Sequence, residues 1–263
     1  YTRQALERRA ADYYVQLRTP PETWHSIDDL EPQLAEFEHR VRVGDYDDAC
    51  RVLEPIDFDY LWLWGHYGRL VAMREKLLGQ LTDSGLQVAN LGNLGTAYRV
   101  LGQPEQAIKL YEEALAIACE IGDCRSEGVW LGNLGSAYRA LGQFGRAINL
   151  YEEALAIARE TGNRPEEGIQ LGNLGSAYHY LGQIKQAINF YEQALPIARE
   201  IGDRRREGDL LGNLGLAYLA LGQGEQSISL NEEALVISRE IVHRRNEGVQ
   251  LANLGDAYYI LGQ

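Results

Sequence analysis

The sequence predicts an all-α fold: a right-handed superhelical solenoid of antiparallel helix hairpins, closed at its N-terminal end by a helical cap. Three observations predict it. One block of sequence returns at a fixed spacing, apolar residues within each block follow helical periodicity, and glycines mark the helix ends. LGNLGTAYRVLGQ at 91–103 returns at 131–143, 171–183, 211–223 and 251–263, a period of 40 residues held over five copies. A period of that length means stacked supersecondary units, each too small to bury its own apolar stripe.

Residues 1–82 lack the period but read as helical. Tyr1–Arg18 is amphipathic and is stopped by Thr19-Pro20-Pro21; Leu30–Val43, Tyr46–Leu53 and a stretch near Tyr67–Leu81 follow. Gly44-Asp45-Tyr46 with Ala49 has the turn and second helix of a degenerate repeat. These helices are expected to continue the stack and cap it, so the chain divides into a helical connector at 1–82 and a repeat array at 83–263. The array holds four full repeats and a terminal half-repeat. Phe58, Tyr60, Trp62, Trp64 and Tyr67 are expected in the connector's core, or, if exposed, on a docking face.

Within the array, Leu91, Leu94, Tyr98 and Leu101 form one stripe of a first helix. Ala107, Ile108, Tyr111, Ala114, Leu115, Ala118 and Ile121 form the stripe of a second, and AIKLYEEALAIACEIGD at 107–123 recurs at 147, 187 and 227. Gly102 and Gly122, with their echoes, stand where a helix takes a left-handed cap, and Pro104 stands in a first turn, where its missing N–H costs little. The expected spans are 104–121 for a second helix and 125–141 for the next first helix. Glycine inside a helix costs about 1 kcal/mol against alanine, so Gly92 and Gly95 must be offset by something packed close to the backbone. Pro196 should bend its helix, and Ser227, Asn231 and Val242-His243 depart from the pattern in a way expected to loosen the fourth unit.

The residues Leu94-Gly95, Tyr98, Ala107, Tyr111 and Ala114, with their echoes, resemble the tetratricopeptide repeat (TPR) family. The 40-residue unit is similar to the variant of kinesin light chains and of many bacterial multi-repeat proteins. The segment from Pro20 to Tyr67 resembles the connector that precedes repeat arrays in bacterial STAND proteins, signalling ATPases with an NB-ARC-type core. That resemblance implies a nucleotide-binding domain upstream of Tyr1, a role in signal transduction and a cytoplasmic location. Both ends of the sequence, Tyr1 and Leu261-Gly262-Gln263, read as cut from a longer protein.

Composition narrows the function. The net charge of −13 argues against nucleic-acid binding and anionic membranes, which need a surplus of Lys and Arg. No apolar run is long enough to span a bilayer. Cys50, Cys119 and Cys124 form no disulfide framework, which suits a reducing compartment, and no metal or cofactor is expected. There is no phosphate-binding loop, no HExxH and no GxSxG. Glu112-Glu113, Glu152-Glu153 and Glu232-Glu233 recur at one face, as a solvated surface does, where a catalytic pair would be unique. The chain is not expected to be an enzyme.

In TPR arrays the first helix of each hairpin lines a concave groove. The resemblance therefore puts Asn93, Asn133, Asn173, Asn213 and Asn253 in a column down that groove, where an amide can pair with the main chain of an extended peptide. The same asparagines could instead bond neighbouring helices and fix the repeat spacing. Two further positions vary while the scaffold does not: Thr96, Ser136, Ser176, Leu216 and Asp256, and Arg99, Arg139, His179, Leu219 and Tyr259. A groove cationic at Arg99 and Arg139 and apolar at Leu216 and Leu219 favours a peptide with an acidic and a hydrophobic segment. Three functions fit: the ligand sensor of a STAND-type ATPase, a plain scaffold, or the regulatory array of an enzyme such as a caspase-like protease. The stripe Leu251, Leu254, Tyr258 and Leu261 lacks a covering partner, so end-to-end self-association is also expected.

Overall fold

A computed structural model of the chain describes residues 2–262. Tyr1, which opens the first predicted helix, and Gln263, which closes the last repeated block, lie outside the described residues. Among the described residues there are thirteen α-helices and no strand. The chain forms two compact units, Tyr1–Ser126 and Glu127–Gln263.

In the first unit α1 (Arg3–Leu17) packs on α2 (Glu31–Val43), and α2 packs on α3 (Tyr46–Leu53). Next come α4 (Tyr67–Glu75), α5 (Ser84–Val100) and α6 (Pro104–Ile121), with α5 laid along α6. Sequence reading missed two short 3-10 turns, Pro21–Thr23 and Ile27–Leu30, and a π-helical turn at Asp57–Trp62. Leu30, Phe37, Leu53, Ile56, Leu61, Leu70 and Leu77 are fully buried around that turn. The aromatic cluster is half-buried against this core, and its rings meet edge to face, Trp62 on Tyr67 at 4.8 Å and Tyr60 on Trp64 at 5.3 Å. Arg74 is enclosed there too: it pairs with buried Asp57, donates to Asn90 at 3.0 Å, and accepts from the Asn90 amide at its own carbonyl at 3.2 Å. Burial pulls the Arg74 guanidinium down to about 10.

The second unit continues through α7 (Cys124–Ala140), whose first turn belongs to the first unit, then α8 (Phe144–Glu160), α9 (Arg164–Tyr180), α10 (Ile184–Glu200), α11 (Arg204–Ala220), α12 (Gly224–Glu240) and α13 (Arg244–Ile260). The spans match the expected 104–121 and, within one residue at each end, 125–141. Leu101 and Ile121, placed in the apolar stripes, are 43% and 45% exposed, because each helix has reached its cap by that point. Pro196 leaves α10 unbroken at 17 residues, the length of α8 and α12.

The glycine puzzle resolves into sockets. A Cβ on Gly95 would lie 2.9 Å from the Tyr111 ring, on Gly135 2.7 Å from Tyr151, and on Gly175 2.5 Å from Tyr191. Each first helix thus carries a hole for the tyrosine of its own second helix. A second hole, at Gly128, Gly168 and Gly208, takes Ile157, Ile197 and Ile237. Hydroxyls lock the fit. Tyr151 donates to Ser136 at 3.2 Å, Ser136 donates to the Gly132 carbonyl at 3.1 Å, and Tyr191, Ser176 and Gly172 repeat the relay. In the fourth unit Leu216 and Asn231 replace the serine and tyrosine together. Asn231 is fully buried against Gly215 and bonds the Ser227 carbonyl at 2.8 Å, so a polar network takes the place of the ring.

One residue serves both ends of each turn. The Asn163 amide closes α8 on Ala158 at 2.8 Å, while its side chain caps α9 at Glu166. Asp203 and His243 do the same at the next two turns. Ion pairs span these turns: Arg159 and Arg164 both grip Glu167, and Arg199 and Arg204 both grip Glu207.

Candidate peptide-binding site

The first helices α7, α9 and α11 present residues three apart on one face, a spacing that sets side chains side by side. Arg139, from the last turn of α7, faces Ser176, His179 and Tyr180 of α9 and Asn213 and Leu216 of α11 across a cavity of about 200 Å³, with Tyr191 at its floor. Five of the residues predicted for the groove, Arg139, Ser176, His179, Asn213 and Leu216, are therefore brought together. Tyr180, stacked on Phe144 at 5.4 Å, and Tyr191 were missed. Tyr180 follows His179 directly, but its direction depends on where the helix ends.

The electrostatics of the cavity are asymmetric. Arg139 makes no ion pair among the described residues, and its Nε is enclosed without a hydrogen-bond partner. Arg99, in the first unit, is enclosed in the same way. What sets both apart is the enclosed Nε, since the turn arginines Arg159, Arg164, Arg199 and Arg204 are tied to carboxylates. Burial pulls His179 below its ordinary value of 6.5, so at neutral pH it is an uncharged ring with one donor and one acceptor. Burial pushes the Tyr191 phenol up, with the bond to Ser176 and the nearby charge of Arg139 acting the other way.

The asparagine column is not uniform, and the residue three positions earlier decides each member. Asn173 follows Gln170 and donates to it at 3.2 Å; Asn253 follows Gln250, and donates to Asn231 at 3.1 Å as well. Asn93 follows Asn90, which is committed to Arg74, and reaches Asp57 at 3.4 Å instead. Asn133 and Asn213 follow Trp130 and Leu210, which offer no acceptor, and their amides bond no other side chain among the described residues. Asn133 and Asn213 are half-buried, with amides available to a ligand. The hydroxyls of Ser136 and Ser176 are already engaged with tyrosine and main chain.

Family models for the tetratricopeptide repeat match residues 86–160, 126–200 and 209–243. The chain belongs to the tetratricopeptide repeat family. No curated protein matches it. Among solved structures, the TPR chain is similar to BtubC (BKLC) from P. vanneervenii, at 21% identity over 91% of both chains and a TM-score of 0.58. It is also similar to a STAND protein with a tetratricopeptide repeat sensor from Pyrococcus horikoshii, at 18% identity and a TM-score of 0.64, over 97% of this chain and 43% of that one. A Rap protein, solved in complex with Competence and Sporulation Factor, aligns at 14% identity over 98% of this chain and 87% of that one, with a TM-score of 0.69. At these identities the likeness is one of fold. TPR arrays are protein-interaction modules, and this chain is a protein-binding repeat module. No helix among the described residues is long and apolar enough to cross a membrane.

Proposed function

We propose that the chain is the ligand-sensing region of a STAND-type signalling ATPase and that it binds an extended peptide through its first helices. The observation that carries this reading is the cavity at which Arg139, His179 and Asn213 converge from three successive hairpins. An unpaired guanidinium, a neutral imidazole and an uncommitted amide, beside the apolar side chain of Leu216, fit a peptide with an acidic residue next to a hydrophobic one. The STAND context draws support from the solved sensor array, which aligns over 97% of this chain. In this reading the chain has no catalysis of its own, needs no cofactor, and works in the cytoplasm downstream of a nucleotide-binding domain.

Two measurements test it. Fluorescence anisotropy with labelled acidic–apolar peptides should give saturable binding to the wild-type chain. Arg139→Glu and Asn213→Ala should weaken that binding about tenfold or more, as loss of a charge-assisted contact does; Asn173→Ala, whose amide is spent on Gln170, should change it little. Equal binding by all variants would move recognition away from the cavity. The coding sequence upstream of Tyr1 tests the STAND assignment: a phosphate-binding loop supports it, and a Cys/His protease domain overturns it.

A further inference from the structure

One turn of the array departs from the others at two positions together. Arg159 and Arg164 stand at the α8–α9 turn, Arg199 and Arg204 at the α10–α11 turn. In each pair both side chains reach one carboxylate, Glu167 at 3.0 and 2.6 Å and Glu207 at 2.8 and 2.6 Å. At the α6–α7 turn the same two positions hold Cys119 and Cys124, and the matching Glu127 makes no ion pair among the described residues. Both thiols are exposed, although cysteine is among the residue types most often buried, as Cys50 is. The turn between them folds tightly. Gly122 is left-handed, with φ 70°, and three main-chain bonds close the chain on itself. Asp123 donates to the Ala118 carbonyl at 2.9 Å, Gly122 to the Cys119 carbonyl at 3.2 Å and Cys124 to the Gly122 carbonyl at 3.1 Å.

From this pair we infer a redox-modification site: an exposed dithiol that hydrogen peroxide converts into a Cys119–Cys124 disulfide. Two positions whose long side chains converge on one carboxylate project from the same side of the turn. A turn closed this tightly then serves short side chains, since a disulfide needs Cα atoms about 4.4–6.8 Å apart. In the first step one thiolate attacks a peroxide oxygen, the O–O bond breaks, and a sulfenic acid forms as water leaves. The second thiolate attacks the sulfenic sulfur, the S–S bond forms and a second water leaves, each thiol proton ending in a departing water. Two thiols are oxidised and one peroxide is reduced to two waters. A dithiol reductant reverses the change by thiol–disulfide exchange. Cys50 stays outside this chemistry, because it is fully buried and burial pushes its thiol up. The disulfide closes covalently the turn that its neighbours close with an arginine clamp, and a reducing compartment keeps it open until oxidant appears. The site is independent of the cavity at Arg139.

The test treats the intact, reduced chain with hydrogen peroxide and reads the tryptic peptide 110–125, which runs from after Lys109 to Arg125 and holds both turn thiols without Cys50. The expected product is this peptide lighter by two hydrogens, returned to its starting mass by dithiothreitol. Both turn thiols should lose their reaction with iodoacetamide at least about tenfold faster than Cys50 does. Cys119→Ser and Cys124→Ser should each stop at a sulfenic acid that dimedone traps, because the second thiol is missing. Both side chains are exposed, so serine at either position keeps the fold. The oxidised chain should melt at a higher temperature than the reduced one, and peroxide should leave the midpoint of the double serine variant where it was. A wild-type chain that accumulates sulfenic or sulfinic acid instead of the disulfide overturns the inference. So does a disulfide between two copies, or oxidation of the pair no faster than that of Cys50.

Discussion

Val242 is the one non-glycine among the described residues with positive φ, at 56°, at a turn where Gly122, Gly162 and Gly202 stand at 70°, 65° and 72°. A β-branched side chain in that region is strained, by roughly 1–2 kcal/mol. Val242→Gly should therefore stabilise the chain by about 1 kcal/mol, read as a higher urea midpoint with an unchanged slope. The Tyr151 relay gives a second single-residue expectation. Tyr151→Phe keeps the ring in the Gly135 socket and removes only the bond donated to Ser136, costing about 1 kcal/mol. Tyr151→Ala empties the socket and should cost about 3–5 kcal/mol. Similar losses for the two variants would show that the hydroxyl, not the ring, holds the hairpin.

At the scale of the helix, the same substitution should have opposite signs in two places. Gly175→Ala puts a methyl 2.5 Å from the Tyr191 ring and forces α9 and α10 apart. It should destabilise by about 1–3 kcal/mol, as overpacking does. Gly255→Ala meets open space on α13 and gains helix propensity, about 1 kcal/mol in its favour. Paired denaturation curves check this, and destabilisation by both would mean that α13 is covered in solution. The helices themselves are legible in the sequence, because their signals are local: apolar spacing, a capping glycine, an Asn or Asp that starts the next turn. The π-helical turn at Asp57–Trp62 is not, because Phe58, Tyr60, Trp62 and Trp64 alternate with the period of a strand, and the turn is held by burial of its Leu61 in the core that Leu70 shares.

Over the repeat array, two largely buried glutamates are each held by a pair of arginines. Burial acts to raise Glu167 and Glu207, but the bonds from Arg159 and Arg164, and from Arg199 and Arg204, outweigh it and hold both below their ordinary value of 4.5. A carboxylate depressed in the folded state stabilises above its unfolded value, and that contribution is lost as pH falls through the folded one. Stability should thus be held above 4.5 on account of these residues and decline below it. Replacing Arg164 and Arg204 by methionine should flatten the decline. Glu166, raised by burial, acts in the opposite sense and loses its contribution as pH rises. Urea midpoints across about pH 3 to 7, in the range set by these carboxylates, measure the balance; a profile unchanged by the arginine replacements would leave the ion pairs as surface decoration.

The repeat, the number of helices in the array and their ends are all set by sequence alone. Each of these rests on residues close together in the chain, and a 40-residue period repeats the local signal until chance is excluded. Packing in three dimensions determines what each repeated residue does. The five asparagines look equivalent in the sequence, yet Asn173 and Asn253 are bonded while the amides of Asn133 and Asn213 bond no other side chain among the described residues, because the position three earlier is glutamine in the first pair and apolar in the second. Ser136 and Ser176 read as groove positions, and each also ties a tyrosine 15 residues away, while Ser176 lines the cavity as well. Asp57, Arg74 and Asn90 left no periodic trace at all, since a buried ion pair is made by elements meeting in space. Periodicity specifies where a side chain sits on its own helix, and only the packed neighbour fixes which of its atoms remain for a ligand.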